Sequence, residues 1–233
     1  NVPRPAASTV AIRQPAWRTL RRPDLLGYFA CFVAVFGAFS MNMMNLPIAV
    51  TQELGGSTRQ LGLILGVGPL VEIPLMLWFG HLAGRGHQVR LIRLGGVSTT
   101  AYCLLLCFVQ VPWHVAWVQV LSGISFAILG NIAIVFFQDL VPGQAGLATT
   151  IFTNAASVGN LVGYLGYGAL AGSLGPRGLF VAGTVAAAAA CMGLALLRPR
   201  HEPVVLAGRA DGPPTPGQDR APVPTSGGDS APA

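Results

Sequence analysis

Glu72 is the one acidic residue in the middle of a long apolar stretch, and its type and position favour proton transfer. One helical turn away lie Gly68, Pro69, Leu75 and Met76, none of which neutralises a carboxylate. A charged side chain at the centre of a bilayer costs about 2.5–3.5 kcal/mol on insertion scales, so the neutral acid is favoured there. We predict that Glu72 binds and releases a coupling proton. A permanently protonated acid with one structural hydrogen bond is the alternative.

A second group of polar side chains is spaced at three or four residues between positions 146 and 171. Its members are Thr150, Thr153, Asn154, Ser157, Asn160, Tyr164 and Tyr167. This spacing places them on one helical face over some four turns. Hydrocarbon does not accept such a face, so we expect it to contact protein or water. Interhelical hydrogen bonds explain a few polar groups, but a whole row favours a water-filled cavity.

A third group lies between residues 40 and 47, where Ser40, Asn42 and Asn45 precede Pro47. Proline removes a backbone donor and clashes with the preceding turn, which predicts a kink near Met43. Kinked helices with nearby amides are common where transporters bind solutes, although membrane helices also tolerate ordinary prolines. A weaker polar series follows at Gln119, Ser122, Ser125, Asn131 and Gln138.

The elements that carry these residues are predicted to be membrane-spanning helices. Of the 233 residues only 9% are charged, and segments 94–138 and 140–176 contain no charge at all. About 20 apolar residues cross a bilayer, so this composition excludes a soluble globular enzyme. The breaks predict an all-α membrane protein with a six-helix transmembrane domain over 25–197. Its helices are expected at about 25–50, 60–80, 91–110, 115–137, 146–171 and 179–197.

The arginines predict how the chain is oriented, and the chain contains no lysine. Twelve arginines lie on one side of the predicted helices. They belong to a basic loop segment at 1–24, to the connection between the second and third helices at 85–93, and to a tail at 198–233. Only Arg59 and Arg177 lie on the opposite side. By the positive-inside rule both termini are cytoplasmic, which an even number of helices also requires. The tail is rich in Pro, Gly and Ala and is expected to be disordered.

Other kinds of site are not indicated by the sequence. The four cysteines lie in apolar stretches, and the four histidines lack the spacing of a metal site. No nucleophile and base stand in a catalytic pattern, so we predict no enzyme, no metal and no cofactor. The net charge of +6 follows from topology and does not indicate nucleic-acid binding. The chain begins with Asn1, so we expect it to be a fragment of a longer protein.

The longest recognisable motif covers residues 136–154 and has the sequence FFQDLVPGQAGLATTIFTN. It resembles a segment between the tenth and eleventh helices of the sugar efflux transporters of the major facilitator superfamily. Residues 70–74 (LVEIP) are similar to the family's eighth helix, and residues 42–47 to its seventh. The cytoplasmic loop motif of the superfamily departs here, because Gly84 stands at its acidic position and His87 at its second glycine.

The resemblance implies that this chain is the C-terminal six-helix half of a twelve-helix transporter in the cell (inner) membrane. The implied activity is proton-coupled efflux of sugars or glycosides, completed by a missing N-terminal half or by a second copy. Because Arg85 and Asp139 lie at the cytoplasmic ends of helices that are neighbours in this fold, we predict that they pair as a cytoplasmic gate. From the polar side chains of the first and fifth helices we predict the substrate-binding residues Asn42, Asn45, Asn154, Ser157, Asn160 and Tyr164. Efflux of a drug or peptide, or a truncated non-transporting interaction protein, remain alternatives.

Overall fold

The computed structural model describes residues 21–83 and 87–197, and in these ranges every regular element is helical. Helix α1 is Pro23–Ile48 and is extended by a wider helical turn at Ala49–Glu53. Helix α2 is Thr58–Leu82, helix α3 is Gln88–Leu106, and helix α4 is Pro112–Leu140. A last helical run covers Ala145–Leu196. All five runs are long and apolar enough to cross a membrane.

The last run consists of two helices, because the backbone leaves the helical region at Gly175 with φ 63° and ψ 176°. A straight helix of 52 residues would be about 78 Å long. The hydrocarbon core of a bilayer is only about 30 Å thick. We therefore number residues 145–174 as α5 and residues 176–196 as α6. The described chain thus has six helices with the predicted break between the fifth and sixth, which confirms the predicted fold class.

The backbones of helices α1 and α5 are in direct contact at glycine residues. A Cβ atom on Gly159 would lie 2.7 Å from the Val33 carbonyl oxygen and from the Phe36 Cβ. A Cβ on Gly163 would collide with the carbonyl oxygen of Gly37. The Gly159-x-x-x-Gly163 pattern therefore lets the two helices approach as small-residue motifs do in membranes.

Helix α2 is peripheral compared with the other helices. Only 11% of its most apolar stretch is buried, against 56% for α1 and for α4. It packs on α4, where Gly68 lies against Ser122 and a Cβ on Gly123 would meet the Gly68 carbonyl oxygen at 2.7 Å. Its outer side exposes Leu70, Ile73, Leu77 and Trp78. One whole side of α2 is therefore left uncovered by the described helices.

Helices α1 and α4 each contain one wide helical turn that the sequence did not predict. In α1 it lies after Pro47, at Ala49–Glu53, and the kink near Met43 stays a prediction. Thr51 Oγ1 donates to the Pro47 carbonyl oxygen at 2.7 Å within this wide turn. Helix α4 has a second wide turn at Ala127–Ile132, where Asn131 Nδ2 donates to the Phe126 carbonyl oxygen at 3.3 Å.

Candidate functional site

The polar residues of α5 form an uncovered face on the six-helix unit. We call this the polar face, and its members are Thr150, Thr153, Asn154, Ser157 and Tyr164, all of them exposed. The two threonine hydroxyls donate to carbonyl oxygens of their own helix at 2.9 Å. Within the described residues, Asn154, Ser157 and Tyr164 make no hydrogen bond. Their side chains are therefore available to a ligand or to another protein surface.

Asn160 lies at the edge of the polar face and joins α5 to α1. It is half-buried, and its Oδ1 accepts a short hydrogen bond from Ser40 Oγ. An amide has two donor hydrogens as well as the acceptor oxygen, so its NH₂ group is left to interact elsewhere. The bond to Ser40 orients the Asn160 amide beside Ser157, one turn earlier on the same helix.

Asn42 and Asn45 do not belong to the polar face, and both are completely buried. Asn42 Nδ2 donates to Cys103 Sγ on α3 at 2.9 Å, and its amide lies against Gly183 on α6. Asn45 Nδ2 donates to the carbonyl oxygen of Pro176 at 2.7 Å, at the break between α5 and α6. Each Nδ2 is bonded in a helix contact, whereas each Oδ1 has no hydrogen-bond partner in the described structure, and the assignment of the two residues to the solute site stays a prediction. They fasten α1 to the helices behind it.

Glu72 borders a cavity of about 160 Å³ between α1, α2 and α4. A water molecule needs roughly 10–15 Å³ of such space, so the cavity holds several. Its wall includes Met43 from α1, Pro69 and Glu72 from α2, and Gln119 and Ser122 from α4. Glu72 is partly exposed, whereas Ser122 and Gln119 are buried. The cavity therefore lies between Glu72 on α2 and polar residues on α4.

Gln119, which the sequence placed only in a weaker polar series, is the most deeply buried polar residue of this cavity wall. Its side chain is 0% exposed, and neither Nε2 nor Oε1 has a hydrogen-bond partner in the described structure. A buried amide left unsatisfied costs about 1–3 kcal/mol per group. The spacing of Gln119, Ser122 and Ser125 was the available signal, but Ser125 instead bonds the Leu121 carbonyl oxygen of its own helix at 2.8 Å.

The predicted gate can be followed only in part. Asp139 is exposed near the end of α4, at the same end of the bundle as the connection between α2 and α3. Arg85 belongs to that connection and lies outside the described residues. At this end, Gln138 Nε2 donates to Thr149 Oγ1 at 3.3 Å and joins α4 to α5. The pair of Arg85 and Asp139 stays a prediction.

Comparison with known proteins identifies the family of this bundle. A model described as the Major Facilitator Superfamily matches residues 4–226, nearly the whole chain. The chain belongs to the major facilitator superfamily. Sugar efflux transporter A of Dickeya chrysanthemi is 33% identical over 77% of this chain and 44% of its own length. Sugar efflux transporter B of Salmonella typhimurium is 34% identical over 66% of this chain and 38% of its own length.

A third similar protein, sugar efflux transporter A of Escherichia coli, is 29% identical over 58% of this chain and 35% of its own length. The chain thus spans less than half the length of these curated relatives. Membership of the superfamily and the long apolar helices make it a multi-pass membrane protein. The resemblance to sugar efflux transporters is therefore supported over most of the membrane-spanning region.

Proposed function

We propose that this chain forms one six-helix half of a transporter that exports sugars or glycosides across the cell (inner) membrane. The observation that carries the proposal is the polar face of α5, where amide and hydroxyl groups stand exposed on a membrane helix. Such groups are costly in lipid and are typical of a solute pathway. The sugar efflux transporters similar to this chain support the class of solute.

In this proposal the solute binds along α5. Asn154, Ser157 and Asn160 supply donors and acceptors for sugar hydroxyls, and the Tyr164 ring packs against the apolar face of a pyranose. Asn160 is oriented by Ser40, so this amide is held in place before the solute arrives. Asn42 and Asn45 in addition hold α1 against α3 and against the break before α6.

Glu72 is proposed to couple this movement to protons. Its carboxyl group borders a polar cavity and is partly exposed, so water reaches it more easily than it reaches Gln119. In this proposal Glu72 carries a proton in one conformation of the protein and releases it in the other. Sugar and proton then bias opposite states of one equilibrium, as antiport requires.

The uncovered sides of α2 and α5 are proposed to face a second six-helix bundle. Leu70, Ile73 and Leu77 on α2 and Leu161 and Leu165 on α5 are all more than half exposed beside the polar residues. A facing bundle would enclose the polar face and complete a solute site between the two halves. That bundle belongs either to the same protein or to a second copy of this chain. The arginine distribution supports both termini in the cytoplasm.

Sugar flux in proteoliposomes tests the function. The protein in the form its gene encodes should show saturable glucose flux, and Asn154→Leu should lower it at least about tenfold, since a hydrogen-bonded hydroxyl loses its partner. Thr100→Val is the matched control, because this α3 hydroxyl only bonds the Gly96 carbonyl oxygen of its own helix at 2.9 Å. Absence of sugar flux, together with saturable flux of a drug or peptide, would contradict the proposal.

A further inference from the structure

The cavity beside Glu72 is bordered by a polar residue that the proposed solute site does not use. Gln119 contributes to the cavity wall from α4, and its amide is sealed among the helices without a hydrogen-bond partner in the described structure. Buried polar groups in proteins are nearly always hydrogen-bonded, so an amide with both ends unpaired requires a specific reason. A partner that arrives only during the working cycle is such a reason.

The surroundings of Gln119 restrict what that partner can be. The cavity of about 160 Å³ has polar groups from Glu72 and Ser122 and apolar walls from Met43 and Phe126. An amide offers a donor and an acceptor side by side, which matches two neighbouring hydroxyl groups, each able to donate and accept. The apolar walls suit the C–H faces of a sugar ring. Gln119 has three rotatable side-chain bonds, and hydrogen bonding to such a ring requires a change of rotamer to bring the amide from the wall into the cavity.

We propose that Gln119 is a specificity-determining residue that binds a pair of adjacent sugar hydroxyls in the cavity bordered by Glu72. This inference rests on the proposed function and deepens it, because it adds a second binding wall on α4 to the polar face of α5. The amide then selects solutes that carry both hydroxyls. A site built to bond a hydroxyl rejects the analogue that lacks it, because its own polar groups are left buried and unpaired.

The test measures binding of labelled glucose to the purified protein in the form its gene encodes, with displacement by each monodeoxy derivative of glucose. Gln119→Met keeps the side-chain length and removes both hydrogen-bonding groups. We expect glucose to bind about tenfold more weakly to it, since the hydrogen bonds of a buried amide are lost. The wild type should discriminate against at least one deoxy derivative, and the variant should lose that discrimination.

Thermal unfolding without sugar gives an independent readout. Gln119→Met should unfold at a higher temperature than the wild type, because an unpaired buried amide is replaced by an apolar group of similar shape. Gln119→Asn is a second variant, for use if the methionine variant does not fold. It keeps an amide but shortens its reach, so it should weaken glucose binding. Asn131→Leu is the control on the same helix, because that amide bonds its own backbone outside the cavity.

The two possible failures are distinguishable. Glucose binding with the same affinity and the same ranking of deoxy derivatives in wild type, Gln119→Met and Gln119→Asn would overturn this inference and leave the proposed function standing. Absence of binding of glucose and of every other sugar or glycoside tested on the wild-type protein would overturn both. A loss of discrimination that is equal in Asn131→Leu and Gln119→Met would also overturn the role of Gln119, since the effect would then be a general loss of packing in α4.

Discussion

At the residue scale, Glu72 gives the sharpest prediction about coupling. Glu72→Gln keeps the shape and hydrogen-bonding capacity of the side chain but does not titrate. We expect it to abolish sugar flux driven by a pH gradient and to leave sugar exchange at equal pH on both sides largely intact. The measurement is flux in proteoliposomes with and without an imposed gradient.

The matched control for this experiment is Glu53→Gln, which removes an exposed carboxylate at the end of the wide turn that follows α1. It should change neither kind of flux. Gradient-driven flux that survives in Glu72→Gln would make Glu72 a structural acid, and the proton would then be carried elsewhere in the protein.

The predicted gate of Arg85 and Asp139 can be tested by substituting the two residues singly and together. Arg85→Ala, Asp139→Ala and the double variant should show coupling in transport rate, because each side chain loses the same partner. The coupling should be modest, since Asp139 is exposed and water screens such pairs. Arg90 is an exposed arginine at the start of α3 and serves as the control, expected to be additive with Asp139. Strict additivity of Arg85→Ala and Asp139→Ala would show that the two residues do not form a gate.

The sequence identified candidate polar residues better than it identified their partners. The spacing of Asn154 and Ser157 predicted a common helical face, because an exposed row depends only on helical periodicity. Asn42 and Asn45 have the same residue type in a similar apolar context, yet their partners Cys103 and Pro176 are on distant segments. Gln119 was undervalued for the converse reason, since its lack of partners is visible only after the helices are packed.

At the element scale, the contact between α1 and α5 predicts unequal effects of two similar substitutions. Gly159→Ala places a methyl group against the Val33 carbonyl oxygen and should lower the free energy of unfolding by about 1–3 kcal/mol. Gly172→Ala is the control on the same helix, because nothing lies within 4 Å of the added atom. Thermal unfolding in detergent measures both. Equal stability of the two variants would contradict the close packing.

The ends of the elements were predictable where a residue forbids continuation. Pro112 begins α4, Gly143 has positive φ in the turn before α5, and Gly175 breaks the last helical run. The wide turns at Ala49–Glu53 and Ala127–Ile132 were not predicted, because their residues suit an ordinary α-helix equally well. Whether a helix widens locally depends on the hydrogen bonds that form in the packed bundle. One example is the bond from the Asn131 amide to the Phe126 carbonyl oxygen.

At the scale of the whole molecule, the uncovered faces predict how residues 1–233 behave when produced alone. The polar face and the outer side of α2 would both be exposed to lipid, so we expect the chain to self-associate or unfold, without saturable sugar flux. Cross-linking in liposomes and flux measured on the same vesicles check this. Saturable flux from vesicles that contain only cross-linkable dimers of this chain would show that a second copy supplies the facing bundle.

The glycine contact between α1 and α5 also limits how the molecule moves. The backbones of α1 and α5 are in contact at Gly37 and Gly163, with no layer of side chains between them that could deform. The two helices should therefore move as one rigid body. Helix α2 rests on α4 at the margin of the bundle and carries Glu72. Spin labels placed on α1 and α5 should therefore report one distance throughout the transport cycle. A label on α2 should report two distances from the rigid body of α1 and α5. One distance belongs to the state open to one side of the membrane, and the other to the state open to the opposite side.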